Sequence, residues 1–159
     1  MRGKNVFVAG LLIAIPLAVA VDVKTVRGSE PPGRLVDNND GTITDTVTHL
    51  IWQKIAFAND ATGISSPATA ATACAGLTNL GAFTSGWRAP AIKELVSIVD
   101  YESATTPMID TAAFPNTIAN TSFPYYTTSP TLCVAFINGQ VTPAGCDGGD
   151  PVRCVHSPP

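Results

Sequence analysis

Four cysteines, Cys74, Cys133, Cys146 and Cys154, restrict this chain more than any other feature. The count is even, and no pair shows C-x-x-C spacing. Only His49 and His156 could add nitrogen ligands to a zinc site. Structural zinc centres normally carry closely spaced Cys or His pairs, so the pattern predicts two disulfides and no metal centre. From the residues alone, three pairings are open. Disulfides persist in oxidising compartments, and the N-terminus predicts export to one. Arg2 and Lys4 form a short basic start, Val6 to Val19 is almost wholly apolar, and Ala18-Val19-Ala20 is an A-x-A cleavage pattern. At about 1.5 Å per residue the apolar run is short for a permanent span; a retained anchor is the rival expectation.

The expected organisation is a signal peptide over 1–20, a flexible leader over 21–33, one domain over 34–156 and a tail over 157–159. Cleavage would leave 159 less 20, or 139, residues, enough for one modest core. It would also remove two of nine basic residues, so seven would face twelve acidic ones, a net charge of −5. The survivors, Lys24, Arg27, Arg34, Lys54, Arg88, Lys93 and Arg153, are scattered singly. Nucleic acid needs a basic stripe, and polyanionic glycans are disfavoured for the same reason.

Asp40-Gly41 marks a tight turn between strand-like runs, because glycine accepts positive φ and aspartate tolerates it. Asp37, Asn39, Asp40 and Asp45 do not make an EF-hand loop, since Gly41 falls at the fifth position rather than the sixth. Ser66 and Pro67 open a helix whose narrow apolar face is Ala70, Ala73, Cys74, Leu77 and Leu80, with Gly76 weakening or ending it. In "GWRAPAIKELVSIVD", Pro90 begins a second helix with Ile92, Leu95, Val96 and Val99 at i, i+3, i+4 and i+7. Tyr125 to Thr127, "LCVAFING" and "PVRCVHS" read as short strands, the second running into an Asn-Gly hairpin. In the last, Val152 and Cys154 share one face and Arg153 and Val155 the other. The expected class is α+β.

Ordered landmarks carry a resemblance. "NDGTITDTVTHLIWQK", "GWRAPAIKEL", "MIDTAAFPNT" followed by "YYTTS", and "VRCV" together resemble the Lcl C-terminal domain family of bacterial collagen-like adhesins, over Leu35 to Val155. The central motif is also similar to one in formylglycine-generating-enzyme domains, which have a C-type-lectin-like fold. That resemblance implies two helices, a small twisted antiparallel sheet and a loop-rich half. It also implies Cys74–Cys154 and Cys133–Cys146 disulfides. Trp52, Trp87, Arg88, Pro90, Glu94 and Arg153 fall on the shared motifs as structural residues. Arg88 is expected to be a strut, its fork bonding backbone carbonyls and a carboxylate from Asp45, Asp100 or Asp110. Ala89 and Ala91 depart from the family pattern, the latter removing the hydroxyl half of a capping box with Glu94. Tyr125-Tyr126 stands where the family often has tryptophan, and His156 where it often has arginine.

The resemblance implies a secreted or cell-surface adhesin, with the periplasm as a further expected location. Its partner would be a glycan or an extracellular protein, and homo-oligomers are compatible with this. No nucleophile–base pair, phosphate loop or metal motif is visible, so an enzyme is not expected. In the loop-rich half, Tyr125, Tyr126, Asn138, Gln140, Asp147 and Asp150 are the expected ligand residues: rings stack on sugars, and amides and carboxylates bond hydroxyls. Asp147 and Asp150 leave room for calcium without a recognisable motif. Two alternatives are a subunit of an extracellular fibre and a target protein of a diversity-generating retroelement.

Overall fold

The computed structural model describes residues 31–57, 67–119, 125–128, 132–143 and 150–158. The expected signal, most of the leader, Cys146 and Asp147 lie outside the described residues. Among those described, β1 (Leu35–Asp37), β2 (Thr42–Asp45) and β3 (Ile51–Gln53) form an antiparallel meander. The β1–β2 turn falls where predicted, but Asn39 rather than Asp40 joins Gly41 in the left-handed region. Asn39 and Gly41 take φ of 59° and 89°. The Asp37 carboxylate accepts the Asn39 N–H, and Asp40 accepts both the N–H and the hydroxyl of Thr42.

Helix α1 (Pro67–Ala75) follows, then β4 (Trp87–Arg88) and α2 (Ile92–Ser97). The last strand, β8 (Val155–His156), inserts between β3 and β4, giving a five-stranded sheet in the order β1-β2-β3-β8-β4. A second sheet joins β5 (Tyr125–Thr127), β6 (Cys133–Ala135) and β7 (Gln140–Thr142), all antiparallel. Helix α2 packs on β6 and so couples the two sheets.

Alternation along the strands divides the interior in two. Ile43, Trp52 and Val155 point to a core completed by Leu95, Ile98, Phe114, Tyr126 and Phe136. On the other face Ile51 and Trp87 pack with Ala70, Cys74, Val152 and Cys154. The Cys74–Cys154 disulfide ties α1 to the residue before β8 across this second core. Cys133 is also disulfide-bonded, while the expected partner Cys146 lies outside the described residues.

One open alternative is decided and one helix boundary differs from the sequence reading. Gly76 ends α1 rather than only weakening it: the helix stops at Ala75, the Gly76 N–H closes on Thr72 O, and Leu77 and Leu80 pack half-buried beyond it. Glycine costs more in a helix than any residue but proline, and here it ends one. Helix α2 does not begin at Pro90, because Ala91 is the extended N-cap (φ −70°, ψ 157°). Buried Pro90 therefore lies outside the helix.

Candidate functional site

The motif residues have structural surroundings. Arg88 donates through Nη1 to Glu94 Oε2 at 2.7 Å and through Nη2 to Glu94 Oε1 at 2.6 Å. Glu94 Oε2 also accepts the Ala91 N–H at 2.7 Å. One carboxylate thus holds the guanidinium and caps the first turn of α2. Hydrogen bonding to Arg88 lowers the Glu94 pKa against the opposing effect of burial, and Glu94 raises that of Arg88. Ala91 has no side-chain oxygen, so the reciprocal half of a capping box is missing. Arg88 pairs with a carboxylate other than the three expected. Asp45, Asp100 and Asp110 are occupied locally: Asp45 by Arg34, Asp100 by the Glu102 N–H, and Asp110 by the N–H groups of Ala112 and Ala113.

Arg153 is fully buried. Its Nη1 donates to the carbonyls of Gln53 (2.8 Å) and Lys54 (2.5 Å), and its Nη2 to Thr117 Oγ1 (2.9 Å). The Phe114 ring lies 4.5 Å from Cζ. Burial pushes its pKa down to about 10, outweighing the favourable contribution of Tyr126, so it remains a cation at neutral pH. This side chain pins the end of β3 to the 114–117 turn.

The six expected ligand residues separate. Tyr126 has no exposed surface. Its ring meets Phe136 edge-on at 5.0 Å, and its oxygen accepts the Ile118 N–H at 2.9 Å. Asp150 is likewise buried and already engaged. Neither has surface to offer a ligand, which corrects the expectation for both. Tyr125 lies in β5, but its side chain is outside the described ones, as is Asp147. Asn138 and Gln140 are exposed and stand on either side of Gly139 in the β6–β7 turn. Asn138 Oδ1 accepts the backbone N–H of Gln140 at 3.0 Å, and the two side chains meet only where Asn138 Nδ2 approaches Gln140 Oε1 at 3.4 Å.

Against this turn lies Tyr101, a residue the sequence reading left unassigned. It is 55% exposed, yet its hydroxyl donates to Gly139 O at 3.0 Å. Gly139 has φ of 71°, and a Cβ there would stand 2.5 Å from Tyr101 Cε1. The ring therefore lies along bare glycine backbone. The Met108 N–H bonds Phe136 O at 2.7 Å and the Asp100 N–H bonds Met108 O at 2.9 Å, which fixes the Tyr101 loop beside the hairpin. The available signal was an aromatic between two acidic residues, Asp100 and Glu102, just past the apolar helix pattern.

A groove of about 520 Å³ runs along α1, lined by Phe57, Ala73, Leu77 and three threonines, with no ionisable side chain among the described residues. Among the described residues no three His, Cys, Asp or Glu side chains group as a metal site, and no helix is long and apolar enough to cross a membrane.

Residues 41–156, running from the β1–β2 turn through β8, match the Lcl C-terminal domain. The chain belongs to that family. The match leaves β1 outside, although β1 pairs with β2 in register from Leu35↔Asp45 to Asp37↔Ile43. Comparison with curated proteins and with solved structures gave no match.

Proposed function

We propose that this Lcl C-terminal domain is an exported, non-enzymatic recognition module of C-type-lectin-like fold. It holds a glycan or a protein surface at the corner made by Tyr101 and the Asn138-Gly139-Gln140 turn. The observation that carries the reading is Tyr101: a large ring bonded at its hydroxyl and packed on Gly139, yet more than half exposed. Exposed aromatics held in one rotamer lose little entropy on binding and are the usual anchors of recognition surfaces. The fold assignment draws support from the bridge between an early helix and the last strand, and from the second small sheet beside a long irregular segment. Export draws support from the basic, apolar and A-x-A succession at the N-terminus.

The test is binding of the oxidised protein to an array of glycans and extracellular proteins, with calcium and with chelator. Saturable binding to one class, lost on mutation of the corner, is the expected result. A blank array from folded protein refutes the reading. One observation favours a second reading, that of a fibre subunit. β1 and β7 are edge strands, and each exposes a valine, Val36 and Val141. Exposed edges are templates for pairing with another copy. Concentration-dependent filaments in electron micrographs would support it.

A further inference from the structure

We infer that the ligand of the Tyr101 corner is an uncharged polysaccharide, one sugar ring of which lies on the tyrosine face. This rests on the recognition reading above and narrows it. Three independent features support it.

The first is the platform. The Tyr101 ring is held by the 3.0 Å bond to Gly139 O and packs where any side chain at position 139 would collide with it. Val99 Cγ1, 3.2 Å from the same Cβ position, backs the contact. Tyr101 is 55% exposed; an aromatic face is negative, and the polarised C–H groups of a pyranose face complement it. The second is the flanking chemistry. Asn138 and Gln140 each carry a carbonyl oxygen and an NH₂, and their mutual contacts use only part of that capacity. Amides that both donate and accept suit hydroxyl groups, which do the same.

The third is charge. From Leu95 to Val152 the chain has no Lys, Arg or His, but it carries Asp100, Glu102, Asp110, Asp147 and Asp150. Both segments that build the corner fall inside this stretch. A sulfated or uronic-acid polymer would meet Asp100 and Glu102, which flank Tyr101, without a cation from either segment, and like charges brought together are disfavoured. A protein partner is the weaker fit. Stable protein interfaces bury about 800 Å² per side around an apolar centre. Here the exposed large apolar residues of the corner and its adjoining strand are Tyr101 and Val141 alone, among the described residues.

The experiment is affinity electrophoresis of the oxidised full chain in native gels containing dextran, mannan, laminarin or galactan, with dextran sulfate as the charged counterpart of dextran. Retardation is expected in at least one neutral gel and not in dextran sulfate. Tyr101→Ala should weaken it at least about tenfold, roughly the 1.4 kcal/mol of one anchor contact. Tyr101→Phe, which keeps the ring and its packing on Gly139 but loses the hydroxyl bond, should weaken it clearly less than Tyr101→Ala. Gly139→Ala should act like Tyr101→Ala, because it displaces the ring without removing it. An unchanged melting temperature in Tyr101→Ala controls for folding. Retardation confined to dextran sulfate, or neutral-gel retardation unmoved by Tyr101→Ala, overturns the inference and leaves the recognition reading standing. No retardation in any gel also overturns the inference; the recognition reading falls with it only if the broad array is blank too.

Discussion

Replacing Asp45 with Asn should cost stability at neutral pH and almost none in acid. Asp45 is fully buried at the end of β2. It accepts Arg34 Nε at 3.0 Å and Nη2 at 2.6 Å, with the N–H groups of Val47 and Thr48 at 2.9 and 3.2 Å. Burial alone would raise its pKa. The Arg34 and Thr48 side chains and the two backbone donors outweigh burial and hold it at about 2, against an ordinary 3.8. At about 1.36 kcal/mol per unit, that depression contributes about 2 kcal/mol to folding. The folded pKa is the lower one, so the contribution is complete above the unfolded value. It is about half gone near pH 3 and mostly gone as pH falls to about 2. Asn keeps an oxygen for Val47 and Thr48 but not the charge facing Arg34. Urea denaturation of both proteins at about pH 7, 5, 3 and 2 reads the difference directly. Asp45→Asn should be less stable by about 2 kcal/mol at the two higher values, with the gap closing to a few tenths in acid and m unchanged. A gap that stays constant across the series would refute the assignment of this stability to the ionised pair.

Ala91→Thr supplies the missing hydroxyl for the Glu94 N–H and should stabilise the protein by about 1 kcal/mol, raising Tm by roughly 3 °C; an unchanged or lower Tm would count against the N-cap at this position. Gly86→Ala meets both a φ of 90° and a Cβ 2.6 Å from His156 Nε2, so it should destabilise by more than about 1 kcal/mol in chemical denaturation. Replacing Cys74 and Cys154 together by Ala opens a loop with a sequence separation of 80 and should cost about 4 kcal/mol; a loss under 1 kcal/mol would show that the bridge adds little to a core already closed by packing.

What was legible in the sequence was legible where the signal is local. Helix α2 shows in four apolar residues at helical spacing, and the β1–β2 turn in one Asp-Gly step. The alternation of "VRCV" correctly sends Val152 and Cys154 to one core and Val155 to the other. Helix α1 was half legible. Its apolar spacing continues through Leu77 and Leu80, but Gly76 breaks the backbone while the same residues still pack in the second core. The residues alone left three disulfide pairings open. Cys74–Cys154 came only from the family resemblance, since pairing depends on β8 lying between β3 and β4, and nothing in either strand states that order.

The candidate site was less legible, because charge partners and exposure are both decided by what the neighbours have already taken. Arg88 had three plausible carboxylates by type. Asp100 and Asp110 turn back onto N–H groups two or three residues on, as aspartates before turns commonly do, and Asp45 is held by Arg34 from the strand opening. Glu94 was in view as a helix cap, and the same geometry that caps also brings it to Arg88: the cap holds its oxygens at the N-terminus of α2, one strand residue and a short turn from the guanidinium. The tyrosines separate by the same logic. Tyr126 sits at the middle of β5, opposite Val134, and is consumed by the core. Tyr101 sits two residues beyond the buried Val99, where the chain has left the helix, and among the described residues it stays 55% exposed even with Gly139 against it. An aromatic at the end of an apolar run, flanked by acids and packed on a glycine from another hairpin, is bonded at its hydroxyl while more than half of the residue stays exposed. The proposed recognition surface rests on that combination, rather than on the aromatic pair in a strand.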